Sequence, residues 1–287
     1  MLKQRILTAL VLLPLALYCI FFLPLNGFAI FAFIALSIGA WEWSPLMGVC
    51  RKAGRVAYTL AVGLVIVALY LITPIDSLWN EQGLVAPMYS TILIGCVWWA
   101  FAVLMVLNFP QSKRLWQRSR IWVGIFGFLI LVPAWAALVS IRALNYDTNP
   151  LFGAWTVLFI FALVWAADVG AYAAGRAFGR NKMMPAVSPG KTMEGLLGGV
   201  VLAFIVMVLV AQLLPVPPEL YAGFYTVGLA TVLVSVFGDL SESMFKRCAG
   251  VKDSGSILPG HGGVLDRIDS LTSALPIFVI GYLWLIH

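Results

Sequence analysis

The sequence predicts an all-α integral membrane protein that crosses the bilayer about nine times. Apolar residues make up 62% of the 287 positions and charged residues only 10%, far below the ~25% that is usual in soluble domains. The apolar residues form runs close to the ~20 residues that a helix needs to cross the hydrocarbon core. The net charge of +6 suits an anionic lipid surface or a polyphosphate, and we expect no nucleic-acid partner.

A hydropathy window of about 19 residues indicates nine candidate spans. They cover residues 6–23, 26–43, 56–73, 88–108, 121–142, 152–174, 193–214, 221–239 and 268–286. The first run follows Lys3 and Arg5 but has no small-residue cleavage site after it, so we expect a retained helix. We expect two regions, with spans one to five in residues 1–150 and spans six to nine, which hold the reactive groups, in residues 151–287.

The basic residues mark alternate connections between these spans. They occur at the N-terminus and in the second-to-third, fourth-to-fifth, sixth-to-seventh and eighth-to-ninth connections, and of the 18 only Arg142 lies on the other side. The opposite connections hold Asp76, Glu81, Asp147 and Glu219. Because cytoplasmic loops are enriched in Lys and Arg, we predict a cytoplasmic N-terminus and an external C-terminus.

Two acidic residues stand inside or at the end of predicted spans. Glu42 lies where the second span meets the cytoplasmic side, just before the helix-ending Pro45, and it is either a solvated interfacial acid or part of a site. Asp168 lies near the cytoplasmic end of the sixth span. Its exposure to lipid would cost about 2.5–3.5 kcal/mol, so we expect it to face the bundle interior, water or a cation.

The start of the seventh span has features of a phosphate-binding corner. Residues 190–192 read Gly-Lys-Thr, but the phosphate-loop motif needs Gly at position 185, which is Pro, and it needs a preceding strand. We therefore reject that motif. A weaker arrangement remains, in which Ser188 or Thr192 caps the helix, Glu194 lies in its first turn and Lys191 stands at its N-terminus. A capped helix with a snorkelling lysine is the alternative.

The densest group of polar side chains in the sequence lies in residues 238–270. Two sets have the spacing i, i+3, i+4, i+7, which places each on one face of a helix if the eighth span continues past Gly238. The sets are Asp239, Glu242, Ser243 and Lys246, and then Asp266, Asp269, Ser270 and Ser273. A glycine-rich, cationic connection joins them.

Such a mixture suits phosphoryl or nucleotidyl transfer. Carboxylates bind Mg²⁺ while water and substrate phosphates complete its shell, and cations neutralise the phosphate oxygens. The isolated His261 and the four scattered cysteines form no zinc set. A solvated loop of mixed charge is the alternative, although such loops seldom place acidic stripes on both flanking helices.

Several segments of the C-terminal half form one long mixed pattern. It comprises Ser243-Met-Phe-Lys246-Arg247, Lys252-Asp253 and Pro259-Gly-His261-Gly262-Gly263-Val-Leu-Asp266-Arg267-Ile-Asp269, preceded by Asp168-Val-Gly-Ala-Tyr172 and Ser188-Pro-Gly-Lys191-Thr192-Met-Glu194-Gly195. The pattern resembles the signature of the phosphatidate cytidylyltransferases, or CDP-diacylglycerol synthases. Gly190 stands where a basic residue is more usual in that family. The first half resembles the family mainly in hydropathy and in Trp41-Glu42-Trp43.

The resemblance implies the transfer of the cytidylyl group of CTP to phosphatidate, which gives CDP-diacylglycerol and pyrophosphate for phospholipid biosynthesis. It implies a homodimer in the bacterial inner membrane with its site facing the cytoplasm. It also implies Mg²⁺ held by Asp239 and Asp266, with a monovalent cation such as K⁺ beside it. The implied cationic groups are Lys246, Arg247, Lys252 and Arg267. The implied substrate-binding residues are Lys191, Ser188, Thr192, Asp168, Glu242, Ser243, His261, Gly262 and Gly263.

Three other functions stay open at this point. A secondary transporter would use its carboxylates for H⁺ or Na⁺, but it predicts acids near the midplane and two related halves, whereas these acids cluster at one face of the second half. The other two are a transferase acting on a different lipid phosphate, such as an archaeol-type or polyprenyl phosphate, and a regulatory membrane protein without activity.

Overall fold

The computed structural model describes residues 2–213 and 216–286, and most of them are helical. The helices in chain order are α1 (Leu2–Phe22), α2 (Leu25–Trp43), α3 (Lys52–Ile72), α4 (Ala86–Leu107), α5 (Lys113–Trp116), α6 (Arg120–Arg142), α7 (Phe152–Phe178), α8 (Met193–Leu213), α9 (Tyr221–Ala249) and α10 (Leu265–Leu285). In the described ranges, 8 helices are long and apolar enough to cross a membrane, and α1 adds a shorter apolar segment, Leu10–Phe22. The prediction of an all-α multi-pass membrane protein is confirmed, while the orientation of its termini stays a prediction.

Two short hairpins were not predicted. Strand β1 (Trp79–Asn80) pairs with β2 (Gly83–Leu84) between α3 and α4, and β3 (Lys182–Met184) pairs with β4 (Ser188–Thr192) between α7 and α8. Both pairs are antiparallel, and their strands are too short to show the alternation of polar and apolar residues that identifies a strand in a sequence. The second hairpin forms one wall of the candidate site.

Helix α6 lies at the centre of the bundle, where it packs against α2, α4, α7 and α10. Buried tryptophans join it to α2 in both directions, because the indole of Trp43 donates to the carbonyl of Val123 at 2.8 Å and that of Trp135 donates to Ala29 at 3.1 Å. The largest apolar cluster extends from Ile20 to Ile280, across the division at residue 150. That division into two regions stays a prediction.

Helices α7 and α8 approach each other closely along small residues. A Cβ atom built on Gly199 would lie 2.6 Å from the carbonyl oxygen of Ala167, and one built on Gly195 would lie 2.9 Å from that of Ala171. Small residues of this kind allow two membrane helices to bring their backbones together. The contact holds Asp168 on α7 beside the start of α8.

Hydrogen bonds bring the basic connections together at one end of the bundle, which we call the basic end. The contacts that do this are Thr8 Oγ1 to the carbonyl of Pro259, Gln117 Nε2 to Cys248, Arg247 Nε to Val187 and the Leu265 amide to Glu42. Arg142 lies at the other end, where it is buried and donates to the carbonyls of Ile20 and Pro150. The sequence therefore sorted the connections correctly into two groups.

Candidate active site

Helix α9 continues without interruption from the bilayer into the basic end. It passes Gly238, where a Cβ atom would lie 2.8 Å from the carbonyl oxygen of Asp269 on α10, and it ends at Gly250 in the left-handed conformation, with φ 72°. The absence of a side chain at Gly238 lets α10 approach closely. The predicted helical continuation past Gly238 is confirmed, so the polar side chains from Asp239 to Lys246 share one face.

Asp266 lies in the first turn of α10 and is held by three donors. Its carboxylate accepts the Gly263 amide at 2.8 Å, the Ser254 amide at 3.0 Å and the Lys246 ammonium at 2.7 Å. Lys246 also pairs with Glu242, one turn earlier on α9, at 3.4 Å. Because the side chains of Lys246, Glu242 and Asp266 are only 12%, 4% and 4% exposed, this cation lies between two largely desolvated acids.

Asp239 makes the second lysine–aspartate pair. The Lys191 ammonium lies 2.8 Å from its Oδ2 and also donates to the carbonyl of Val236 at 3.3 Å, while the Ser243 hydroxyl donates to its Oδ1 at 3.2 Å. Lys191 stands on strand β4, just before α8. Thr192 caps that helix by accepting the Gly195 amide at 3.1 Å, which settles the choice left open between Ser188 and Thr192. Ser188 pairs instead with Met184 in the hairpin.

Glu242 and Asp269 face each other between these two pairs. Asp269 lies within electrostatic range of Asp239, and Glu242 lies within that of Asp266. Asp168 extends the series, because it lies within range of Asp239, Lys191 and Arg267. We call these five acids the carboxylate row: Asp168, Asp239, Asp269, Glu242 and Asp266. Asp168 thus lies beside charged groups rather than among apolar side chains alone, while its role in substrate binding stays a prediction.

A cavity of about 270 Å³ opens beside one end of the row, between α7, α8, α9 and the β3–β4 hairpin. Asp168, Lys191 and Asp239 are its charged lining residues. Val232 and Val236 also line it, and Val232 lies about two helical turns from Asp239 along α9. The cavity therefore has a charged part and an apolar part that extends along the helices toward the bilayer centre.

The other predicted cationic residues do not line this cavity. Arg247, Lys252 and Arg267 are exposed, and Arg247 donates to the carbonyl of Val187 at 3.3 Å. His261 lies in the glycine-rich connection, with a buried Nδ1 that has no hydrogen-bond partner in the described ranges. Gly262 has φ +88°, and a Cβ atom there would lie 2.7 Å from Asp266 Oδ2. Both its conformation and the nearby carboxylate therefore require glycine.

The donor set fits Mg²⁺ without forming a complete metal cage. Apart from the ion pair with Lys246 and the facing carboxyl group of Asp269, neither buried oxygen of Glu242 meets a donor within residues 2–213 and 216–286, so the row offers carboxylate oxygens that a cation could bind. The same residues contain no ready-made cluster of three or more His, Cys, Asp or Glu ligands. Mg²⁺ often uses one or two carboxylates together with water and substrate phosphates. Binding by Asp239 and Asp266 stays a prediction.

Two acids that were not among the predicted site residues belong to this arrangement. Asp269 joins the two lysine–aspartate pairs, and its position three residues after Asp266 was the available signal. Glu42 is 1% exposed and accepts the Leu265 amide at 2.7 Å, so the interpretation of Glu42 as a solvated interfacial acid is wrong. The sequence alone could not show this contact, because 223 positions separate the two residues.

Fold and site together define a class of protein: a multi-pass membrane protein whose acids and lysines suit phosphate chemistry at one end of the bundle. The sequence model of the Cytidylyltransferase family matches residues 3–285. The chain therefore belongs to the Cytidylyltransferase family, and it is a nucleotidyltransferase.

Bacterial relatives are similar over nearly the whole chain. The phosphatidate cytidylyltransferase of Pseudomonas aeruginosa is 42% identical over 284 residues, which cover 99% of this chain and 97% of the relative. That of Haemophilus influenzae is 41% identical over 292 residues and covers 100% of both chains. That of Brucella suis is 35% identical over 274 residues, which cover 95% of this chain and 90% of the relative.

Proposed function

We propose that the protein transfers the cytidylyl group of CTP to phosphatidate, forming CDP-diacylglycerol and pyrophosphate. The observation that supports this most directly is the position of the cavity. It brings Lys191, Asp168 and Asp239, at one end of the carboxylate row, together with apolar side chains in one cavity of a membrane protein. A lipid phosphate can bind there with its headgroup near the lysine and the first carbons of its chains beside Val232 and Val236.

CTP would bind from the aqueous side at the basic end, where Arg247, Lys252 and Arg267 are exposed. These cations would neutralise the triphosphate oxygens, and cationic donors that stabilise phosphoryl charge are a main source of catalysis in such reactions. Lys246 lies deeper, between Glu242 and Asp266. We assign Lys246 the task of keeping these two carboxylates close together while both substrates bind.

The reaction needs no strong general base, because the second pKa of a phosphate monoester is about 6 and the lipid phosphate is largely ionised at neutral pH. A phosphatidate oxygen attacks the α-phosphorus of CTP in line. The bond between the α-phosphorus and the bridging oxygen to the β-phosphorus breaks, and pyrophosphate leaves with that electron pair. The residues act mainly by positioning the two phosphates and balancing their charge.

Asp239 and Asp266 would hold Mg²⁺, and the row has acidic side chains to accommodate a monovalent cation such as K⁺ as well. When bound, Mg²⁺ would neutralise phosphate charge and orient the triphosphate. We further propose a homodimer in the bacterial inner membrane with the basic end in the cytoplasm, where CTP is found. The distribution of Lys and Arg supports this orientation.

The direct test is to give the purified protein CTP, Mg²⁺ and phosphatidate in mixed micelles and to measure CDP-lipid and pyrophosphate. We expect both products in equal amounts, and we expect none with diacylglycerol, which lacks the nucleophilic phosphate. A polyprenyl phosphate tests the alternative lipid substrate. Faster transfer to that lipid than to phosphatidate, or no transfer to either, would contradict the proposal.

A further inference from the structure

Glu42 is a buried acid from the N-terminal half that reaches the glycine-rich loop between α9 and α10, residues 250–264. Its Oε2 accepts the Leu265 amide at 2.7 Å, at the first residue of α10. Its Oε1 is also buried and has no hydrogen-bond partner in the part of the chain that the structure describes. The carboxylate therefore satisfies an otherwise unpaired amide at the N-terminus of a helix, where negative charge is favourable.

Two glycines of the loop enclose this carboxylate. A Cβ atom on Gly263 would lie 2.6 Å from Glu42 Oε2, and one on Gly255 would lie 2.7 Å from its Cδ and would overlap Oε1. Neither glycine has a left-handed φ. Glycine is therefore required at these two positions by neighbouring side chains, Glu42 at both and Ser254 as well at Gly263, rather than by the backbone conformation.

The segments that contact Glu42 also hold Asp266. The amide of Gly263 and the amide of Ser254, next to Gly255, donate to Asp266 at 2.8 and 3.0 Å. The same backbone segment thus encloses the Glu42 carboxylate and binds the Asp266 carboxylate. A change in the loop at Glu42 would move the donors that orient Asp266 toward Lys246.

The end of α2 is well anchored for such a role. Trp43, the next residue, donates to Val123 at 2.8 Å and packs edge-on against Phe245, with ring centroids 5.0 Å apart. Arg55 stacks on Trp41 at 3.9 Å and donates to its carbonyl at 2.9 Å. Because both neighbours are fixed, Glu42 is a rigid support for the glycine-rich loop, whose glycines allow many backbone conformations.

We propose that Glu42 is a positioning residue of the active site, which holds the glycine-rich loop and the start of α10 so that Asp266 faces Lys246. The inference deepens the proposed function and rests on it. Glu42 contacts the loop rather than the reacting atoms, so its loss should reduce turnover more than CTP binding.

The test compares Glu42→Ala and Glu42→Gln with the wild-type protein in the CTP and phosphatidate assay. For Glu42→Ala we expect kcat to fall on the order of tenfold or more, with KM for CTP within about threefold. Glu42→Gln keeps an oxygen that accepts the Leu265 amide, so it should recover most of kcat. An unchanged kcat in Glu42→Ala, or equal losses in both variants, would overturn the proposal.

A second experiment fills the space beside the Glu42 carboxylate by a substitution in the loop, so it remains informative if Glu42→Ala folds poorly. Gly255→Ala should reduce kcat because its methyl group displaces Glu42, whereas Gly27→Ala on α2, whose Cβ would meet its nearest neighbour at an ordinary 3.4 Å, should not. Pairing Gly255→Ala with the shorter Glu42→Asp should restore part of the loss. A Gly255→Ala variant with wild-type kcat would contradict the proposal.

Amide hydrogen exchange separates this inference from the proposed reaction, because it needs no substrate. We expect faster exchange in Glu42→Ala and Gly255→Ala for peptides that cover residues 254–266, near-wild-type exchange there in Glu42→Gln, and unchanged exchange for peptides from α3 in all three. If the wild-type protein transfers no cytidylyl group but the variants show this exchange pattern, the proposed function alone is refuted. Unchanged exchange at 254–266 in both Glu42→Ala and Gly255→Ala would refute the positioning role.

Discussion

Lys246 is the residue on which the balance of charge in the site depends most. Its ammonium lies 2.7 Å from Asp266 and 3.4 Å from Glu242, and Asp269 is within electrostatic range. Lys246→Met keeps the aliphatic stem but leaves these acids without their nearest cation. We expect kcat to fall by about a hundredfold or more, measured as initial rates of CDP-lipid formation at saturating CTP.

The matched control is Lys52→Met, because Lys52 is an exposed lysine at the same end of the bundle. Exposed charges of this kind contribute little to stability or structure, so we expect wild-type rates. A Lys246→Met protein that is as active as Lys52→Met would remove Lys246 from the site.

At the scale of residues, the sequence predicted which side chains share one face of a helix. It did not predict contacts between side chains from different elements. Spacing along one helix placed Glu242 and Lys246 on the same face, and the structure confirms that shared face and shows the two side chains paired there. The contact between Lys191 and Asp239 joins a hairpin to α9, and that between Glu42 and Leu265 joins the two halves of the chain. Rules based on the spacing of residues along one helix cannot predict contacts between residues so far apart in the sequence.

The β3–β4 hairpin is the element that presents Lys191, and Glu194 anchors it. The Glu194 carboxylate accepts the amides of Arg180 and Asn181 at 3.1 and 3.2 Å and the Asn181 side chain at 2.7 Å. Glu194→Ala would free the turn that leads into the hairpin and displace Lys191. We expect turnover to fall on the order of tenfold, whereas Glu219→Ala at the opposite end of the bundle should leave it unchanged.

Steady-state rates for the two variants would check this prediction. Circular dichroism and size-exclusion chromatography would establish that both remain folded. If Glu194→Ala turned over at the rate of Glu219→Ala, the hairpin would not depend on Glu194 to position Lys191.

The close approach of α9 and α10 depends on Gly238. In Gly238→Ala the new methyl carbon would lie 2.8 Å from the carbonyl of Asp269, so the two helices must separate. Overpacking of this kind costs about 1–3 kcal/mol, and we expect a lower Tm and reduced activity. Gly190→Ala is the control for stability, because nothing lies within 4 Å of its Cβ position.

Thermal unfolding in detergent would compare these two glycine variants. Equal Tm values for Gly238→Ala and Gly190→Ala would show that α9 and α10 can accommodate a methyl group at position 238 without separating. Because the carbonyl belongs to Asp269, a separation at this point would also widen the carboxylate row.

The elements illustrate which structural signals a sequence contains. The apolar runs and the i, i+3, i+4, i+7 pattern predicted that α9 would continue beyond residue 239, and it extends to Ala249. The β3–β4 hairpin could not be predicted from the sequence. A strand such as Lys182–Met184 has only 3 residues, which is too short to show an alternation of polar and apolar side chains.

For the whole molecule, the distribution of Lys and Arg predicts the orientation in the membrane, and chemical labelling can test it. Cys50 is exposed in the connection after α2, at the basic end, whereas Cys19 is buried. If the basic end is cytoplasmic, a membrane-impermeant maleimide should label Cys50 in inverted vesicles but not in intact cells. Cys50→Ser is the control that identifies the labelled site, and labelling of Cys50 in intact cells would reverse the topology.

At this scale the sequence was most informative, since the number of spans and the grouping of connections follow from hydrophobicity and charge. All but one of the 18 basic residues were assigned to one side, and hydrogen bonds such as Thr8 to Pro259 join those segments in the structure. The exception, Arg142, is satisfied by backbone carbonyls at the other end. The central role of α6 could not be predicted, because burial by neighbouring helices and exposure to lipid both favour apolar residues.

The central claim is that the carboxylate row is part of an active site that transfers a cytidylyl group to a lipid phosphate. The variant Asp266→Asn tests this claim most directly. This variant keeps the shape of the side chain but removes the charge that pairs with Lys246 and that would help hold Mg²⁺. The measurement is the initial rate of CDP-diacylglycerol formation from CTP labelled at the α-phosphorus, with phosphatidate and Mg²⁺, on protein shown by size-exclusion chromatography to be folded. We predict efficient transfer by the wild type and none by Asp266→Asn; transfer at the wild-type rate by the variant would contradict the account.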